Sequence, residues 1–238
     1  MLAFFVKPLC LIVASVSIWV VWTAPNSAAR DDEIAVKEFK PLGVTTSGTN
    51  LAKRVPAFTF LLEALLIIIQ DFSRVPSPIP VTGHPSLQVF FGALFLFLAA
   101  TIRYRCYAEM GRHFTYEISL LKEHKLIATG PYALVRHPSY TGILFATSGI
   151  ALIWGAEGSC VKSLLEVLMR EEELSGWMRI VGMLSAAILG AFIAWVCSFV
   201  IVVMARMKKE DELMKKNFGE EWVEWEKKVP WKLLPGII

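Results

Sequence analysis

Gly130-Pro-Tyr-Ala-Leu-Val-Arg-His-Pro-Ser-Tyr-Thr-Gly142 runs directly into Ile143-Leu-Phe-Ala-Thr-Ser-Gly-Ile-Ala-Leu-Ile-Trp154. The first stretch is polar, aromatic and basic, and two prolines and two glycines constrain its shape. The second is almost wholly apolar. Arg136 and His137 therefore stand where the chain is about to enter lipid. A bilayer penalises such groups unless they are paired or bound to something. The segment reads as a binding site built at a membrane surface.

The apolar run has counterparts elsewhere. The chain has 238 residues and is 55% hydrophobic, above the 45–50% usual for soluble domains. The excess sits in five blocks: 2–22, 55–70, 87–102, 140–155 and 177–205. Each is long enough, or nearly so, to cross a hydrocarbon core of about 30 Å. Backbone amides find no partners in lipid, so the blocks are expected to be helices. The expected fold is all-α, a polytopic membrane helix bundle of about five transmembrane helices. Its second, third and fourth spans are short. Residues 1–86 hold the N-terminal spans and loops, and 87–238 hold the core that carries the chemistry. The first block, with Lys7 near its start and Thr23-Ala-Pro-Asn-Ser-Ala-Ala29 behind it, reads as a span or as a cleaved signal.

Basic residues set the expected orientation. Residues 103–139 carry six Lys/Arg against three acids, and the tail from Arg206 carries eight Lys/Arg. Residues 156–176 carry two, with five acids. The first two segments are thus expected on the cytosolic side and the third in the lumen. The net charge of +3 is explained by this asymmetry and gives no sign of nucleic-acid binding. Cys10, Cys106, Cys160 and Cys197 are scattered, and no C-x-x-C or H-E-x-x-H spacing occurs. Neither a metal site nor a disulfide framework is expected.

Several charged groups have bland explanations. Arg103, Arg105 and Arg112 follow the third block as stop-transfer charges, ahead of the alternative that they contact a ligand directly. Residues 112–132 alternate in polarity and read as extended chain over the membrane face. Glu63, within an apolar block, is an ionisable intramembrane group, either protonated or reaching the interface. The final span ends at Arg206 and continues as a helix to Phe218, since no breaker precedes Gly219. Trp222 and Trp225, three apart, share a helix face that packs inward or lies at the headgroup level. Arg206 and Glu210 are four apart, which by spacing alone describes a snorkelling arginine with a surface partner.

Taken together, Gly130–Gly142, the helical Arg206-x-x-x-Glu210-Asp211 and the ending Phe218-Gly-Glu-Glu-Trp222-x-x-Trp225-x-x-x-Val-Pro230 resemble the isoprenylcysteine carboxyl methyltransferase family, from about Phe90 to Pro235. The resemblance implies S-adenosyl-L-methionine as methyl donor. It implies the C-terminal carboxylate of a prenylated cysteine, in CaaX-processed proteins, as acceptor. By position, His124, Lys125, Leu126, Ile127, Tyr132, His137, Pro138, Ser139, Tyr140 and Glu210 would contact the donor, and Arg206 would meet the acceptor carboxylate. Arg206 and Glu210 are the implied catalytic pair. Glu117 falls near a polar family position. The partners implied are prenylated protein C-termini and membrane lipid, in the endoplasmic reticulum, with the site facing the cytosol.

The implied chemistry is physically sound. A carboxylate is ionised at neutral pH and is already a nucleophile, so the site must align it with the sulfonium methyl and exclude water. Arginine suits the carboxylate because its fork binds both oxygens and stays charged. Tyr132 and Tyr140 could face the sulfonium or belong to an interfacial aromatic belt. Gly142, Gly149, Gly182 and Gly190 allow close approach of the fourth and fifth spans, where a prenyl groove is expected. The chain departs from the pattern in three places. Tryptophans replace common tyrosines at 222 and 225. Lys208 and Lys209 replace acids, which would make the donor's mouth more basic. The 156–176 loop is long and carries Glu171–Glu173, which reads as a solvated insertion. Alternative readings are a phospholipid or small-lipid methyltransferase, a non-catalytic paralogue, and an NADPH-dependent sterol reductase.

Overall fold

The computed structural model describes residues 2–27, 46–75, 79, 81–116, 118, 125–169 and 176–237. The regular structure among them is helical: α1 (Leu2–Val21), α2 (Thr46–Ser73), α3 (Leu87–Met110), α4 (Pro138–Gly155), α5 (Cys160–Met169), α6 (Gly176–Phe218) and α7 (Glu220–Lys228). Short 3-10 turns occupy Gly111–His113 and Gly130–Ala133. No strand occurs among the described residues. Where residues 112–132 are described they form no long helix, and Phe114 (φ −77°, ψ 113°) and Thr129 (φ −107°, ψ 170°) are extended between short 3-10 turns; Glu117 and residues 119–124 lie outside the described residues. α6 carries the last apolar block 13 residues past Ala205 without a break.

Thr49–Ser73 and Leu87–His113 are helical and apolar enough to cross a membrane. Pro138–Gly155 and Cys160–Glu166, bent by 50° at the break between them, make a third span if counted as one. The apolar blocks 2–22 and 177–205 lie largely within α1 and α6.

The chain forms two compact units. The first comprises Met1–Trp19, Arg54–Phe97 and Phe145–Cys197. Lys7 and Glu63 are both buried in it, and Lys7 Nζ lies 2.9 Å from Glu63 Oε1. Lys7 also donates to the carbonyls of Thr82 (2.8 Å) and Gly158 (3.0 Å), while Glu63 Oε2 accepts from the Cys160 amide at 3.0 Å. Glu63 is thus neither solitary nor at an interface: a buried lysine offsets its charge. The 156–176 segment is not a plain solvated insertion either. It holds α5, whose Cys160 and Ser163 are buried and whose start Ser159 caps by accepting from the Lys162 amide at 3.2 Å. Glu171–Glu173 lie outside the described residues. α3 meets α4 here at a pair of glycines. A Cβ on Gly149 would stand 2.7 Å from the Gly92 carbonyl, and one on Gly92 would stand 2.9 Å from the Gly149 carbonyl. The close approach expected of Gly149 is therefore made with the third helix rather than the fifth.

The second unit comprises Val20–Lys53, Leu98–Leu144 and Ser198–Ile238. Both motif-bearing segments lie within it.

Candidate functional site

The site begins with backbone geometry. Gly130 has φ +57°, a left-handed conformation that glycine adopts without penalty, and Pro131 follows at the second position of the 3-10 turn. The turn buries Tyr132, whose hydroxyl donates to Met110 Sδ at 2.8 Å. The next residues dock against the C-terminal strap: the Arg136 amide donates to the Trp231 carbonyl (2.9 Å) and the His137 amide to the Lys232 carbonyl (2.8 Å). Pro138 then opens α4, where its missing N–H costs nothing, and Thr141 Oγ1 donates to the Leu233 carbonyl at 2.6 Å.

These constraints aim His137 at α6. Its Nε2 lies 3.0 Å from Asp211 Oδ1 and its Nδ1 lies 3.5 Å from Glu210 Oε2. Burial lowers the imidazole's proton affinity, but the hydrogen bonds to Asp211 and Glu210 outweigh it, and the pKa rises above the ordinary 6.5. For Glu210, burial raises the pKa; the hydrogen bond to His137 and the charge of Arg206 outweigh it, and the net direction is down. Asp211 is also lowered: His137, Arg136 and Lys232 overcome the effect of burial. Lys232 Nζ stands 3.2 Å from Asp211, and Arg136 pairs with Glu226.

Arg206 is buried one turn before Glu210. Its Nε donates to the Tyr140 hydroxyl at 3.1 Å, and its Nη2 donates to the Tyr116 carbonyl at 2.7 Å and to Glu210 at 3.5 Å. Tyr140 in turn donates to Glu210. A second arginine lies deeper. Arg103, only 1% exposed, donates to the Tyr107 hydroxyl (2.8 Å) and to Ser139 Oγ (2.6 Å). Its guanidinium lies over the rings of Tyr107, Phe114 and Tyr116 at 5.2–5.8 Å. Gly142 makes room for it: a Cβ there would meet Arg103 Cγ at 2.8 Å. Among the described residues no carboxylate pairs with Arg103, and its described partners are hydroxyls, a carbonyl and aromatic rings. The stop-transfer reading of Arg103 is corrected accordingly.

A cavity within this unit joins these groups. Lys125, Leu126, Ile127, Tyr132, His137, Ser139, Tyr140, Arg206 and Glu210 line it, together with Arg103, Asp211 and apolar side chains including Phe114, Ile143 and Val203. Pro138 shapes the turn without lining the cavity, and His124 lies outside the described residues. Lys208 and Lys209 are exposed and not among the lining residues, so they do not make the cavity's lining more basic. Asp211 and Tyr116 are not among the site residues expected from sequence, and for Arg103 ligand contact is there the less favoured reading. Asp211 was visible in the motif, whereas Arg103 had only its spacing of four from Tyr107 as a signal.

Five cavity-lining residues carry buried donor atoms with no hydrogen-bond partner among the described residues: Arg103 Nη2, the Tyr116 hydroxyl, Arg136 Nε, Trp222 Nε1 and Trp225 Nε1. Such atoms are rare in finished interiors. Together with Glu210 and the tyrosine faces, they fit a ligand that combines acceptor atoms with a cationic centre, as S-adenosyl-L-methionine does.

Comparison with known proteins agrees with the motifs. Residues 84–173 match the isoprenylcysteine carboxyl methyltransferase (ICMT) family. The chain is 28% identical over 142 residues to protein-S-isoprenylcysteine O-methyltransferase B of Arabidopsis thaliana, covering 59% of this chain and 56% of that protein. It is 28% identical over 104 residues to a probable protein-S-isoprenylcysteine O-methyltransferase of Oryza sativa subsp. indica, covering 41% and 54%. It is also 25% identical over 133 residues to a delta(14)-sterol reductase of Neurospora crassa, covering 53% of this chain and 26% of that protein. The chain thus spans about half the length of the methyltransferases it matches. No solved structure matches it. The matched segment and the two methyltransferases support the family assignment.

Proposed function

We propose, on the premise that the chain is a member of the isoprenylcysteine carboxyl methyltransferase family, that it transfers a methyl group from S-adenosyl-L-methionine to the C-terminal carboxylate of prenylated cysteine. The observation that carries this reading is the meeting of Arg206, Tyr140, Glu210 and His137 in one cavity with the buried Arg103. A carboxylate needs no general base, because it is ionised at neutral pH. It needs cationic partners and alignment, which can supply roughly 7–11 kcal/mol of the barrier. Arg206 and Arg103 are the cations that would receive it. Arg206 is held by Tyr140 and the Tyr116 carbonyl, so it orients the carboxylate without a free choice of rotamer. Glu210, held ionised by His137 and Arg206, offers an acceptor to the donor's ammonium group. The donor supplies an electrophilic methyl on sulfonium.

A lipid-anchored acceptor explains why this chemistry resides in a membrane protein. We take the chain as five spans in the endoplasmic reticulum, with the 103–139 segment and the tail from Arg206 in the cytosol. The prenyl chain would lie among the apolar cavity walls and the donor would enter from water. The deciding assay is transfer of tritiated methyl to N-acetyl-farnesylcysteine by membranes carrying the wild type, Arg206→Ala or Glu210→Ala. Activity in the first and near-complete loss in the others is expected; equal activity in all three refutes the site. Phosphatidylethanolamine as acceptor separates the lipid methyltransferase reading. The likeness to the Neurospora reductase motivates one more arm, NADPH consumption with a sterol, for which no turnover is expected.

A further inference from the structure

Trp222 and Trp225 lie three apart on α7, on one face of that helix. Both line the cavity, and both indole Nε1 atoms are buried without a hydrogen-bond partner among the described residues. An N–H taken from water and left unpaired costs about 1–3 kcal/mol. A phenylalanine at either position would fill the space without that cost. Two such donors on residues that line one cavity are accounted for when a ligand supplies the acceptors. Their neighbours indicate which ligand. Trp225 and Ile127 both pack against the cluster that contains Tyr132, and Tyr132 and Ile127 are two positions assigned above to the methyl donor. Trp222, only 3% exposed, lies against Arg136, whose Cζ is 5.6 Å from its ring, next to His137.

We propose that Trp222 and Trp225 bind the methyl donor, each indole N–H donating to an acceptor atom of S-adenosyl-L-methionine. This rests on the function proposed above and extends the donor site from the loop and α6 to α7. Arg136 Nε, also buried and unpartnered, is a third donor in the same cavity.

The test uses the purified full chain in detergent, titrated with S-adenosylhomocysteine and followed by calorimetry and tryptophan emission. Trp222→Phe and Trp225→Phe are each expected to weaken binding about three- to ten-fold, the worth of one hydrogen bond. The binding-linked emission change should shrink in both. The KM for S-adenosyl-L-methionine should rise in parallel, with kcat and the KM for N-acetyl-farnesylcysteine unchanged. Trp19→Phe, an exposed position in the other unit, is the control and should bind like the wild type. Wild-type affinity in both variants overturns the proposal. So does a rise confined to the KM for the prenylcysteine, which would place the indoles against the acceptor. A wild type that binds no S-adenosylhomocysteine would instead remove the function itself. Should Trp222→Phe fail to fold, Trp225→Phe decides alone, because Trp225 is less deeply buried.

Discussion

Arg206 and Tyr140 meet through a 3.1 Å hydrogen bond from guanidinium Nε to the phenol oxygen, and the same phenol donates onward to Glu210. One hydroxyl therefore links the residue assigned to the acceptor with the residue assigned to the donor. Tyr140→Phe keeps the ring and deletes the link. Arg206 would keep the Tyr116 carbonyl and Glu210 as partners, so the fold should survive. The expected result is a fall in kcat/KM for N-acetyl-farnesylcysteine of about ten-fold, equivalent to roughly 1.4 kcal/mol, with a small change in melting temperature. Radiolabelled methyl transfer and thermal unfolding in detergent measure the two quantities.

Arg103 should separate stability from activity. Arg103 pairs with no carboxylate among the described residues, and a buried charge so placed is a liability to the free protein that a ligand anion would offset. Arg103→Met preserves much of the volume and removes the charge. Methyl transfer should fall at least 100-fold, while the melting temperature without ligands stays the same or rises. A fall in both together would make Arg103 a structural residue instead.

How much of this could be read from sequence depended on whether a role leaves a local trace. The all-helical class was legible because lipid forces apolar blocks into one secondary structure. The run of α6 to Phe218 was legible because nothing breaks it. Arg206 and Glu210 were legible as a pair through their i,i+4 spacing. Arg103 was not, since a stop-transfer arginine and a buried one look alike until Gly142, 39 residues later, is seen to admit its side chain. The partner of Glu63 was equally hidden, because Lys7 is 56 residues away and had been weighed only as the start of a signal sequence. The alternation at 112–132 was legible as non-helical chain, and Phe114 and Thr129 are indeed extended, but it gave no sign that the rings of Phe114 and Tyr116 lie beneath Arg103.

The His137 cluster sets a pH window. His137 has a raised pKa, so its contribution to stability is complete below its ordinary 6.5 and is lost as pH climbs through the elevated folded value. Glu210 and Asp211 have lowered pKa values, so theirs is complete above the ordinary 4.5 and 3.8 and is lost as pH falls through the depressed folded values. The three coincide between about pH 4.5 and 6.5. Melting temperature should therefore plateau in that interval and decline on either side. His137→Gln should flatten the alkaline decline, and pH-resolved thermal unfolding of both proteins checks it.

Lys7 and Glu63 offer a test in the first unit, remote from the chemistry. Both are almost wholly buried and 2.9 Å apart, and each makes further bonds, to the Thr82 and Gly158 carbonyls and from the Cys160 amide. Removing one partner leaves the other charge stranded, at a cost of about 3–5 kcal/mol. Lys7→Met and Glu63→Gln should each lower the melting temperature and the yield of folded protein. The double variant should recover much of the loss, because apolar replacement of a buried pair is often neutral. Specific activity per folded molecule should stay near wild type throughout, since neither residue lines the cavity. Thermal unfolding of the four proteins, arranged as a double-mutant cycle, yields the coupling directly. A coupling near zero would mean that the pair does not hold α1 to α2. The same cycle bears on the first block: a chain cut behind Trp22 would lose Lys7 and leave Glu63 unpaired, so expression of residues 23–238 alone should show instability at least as large as that of Lys7→Met.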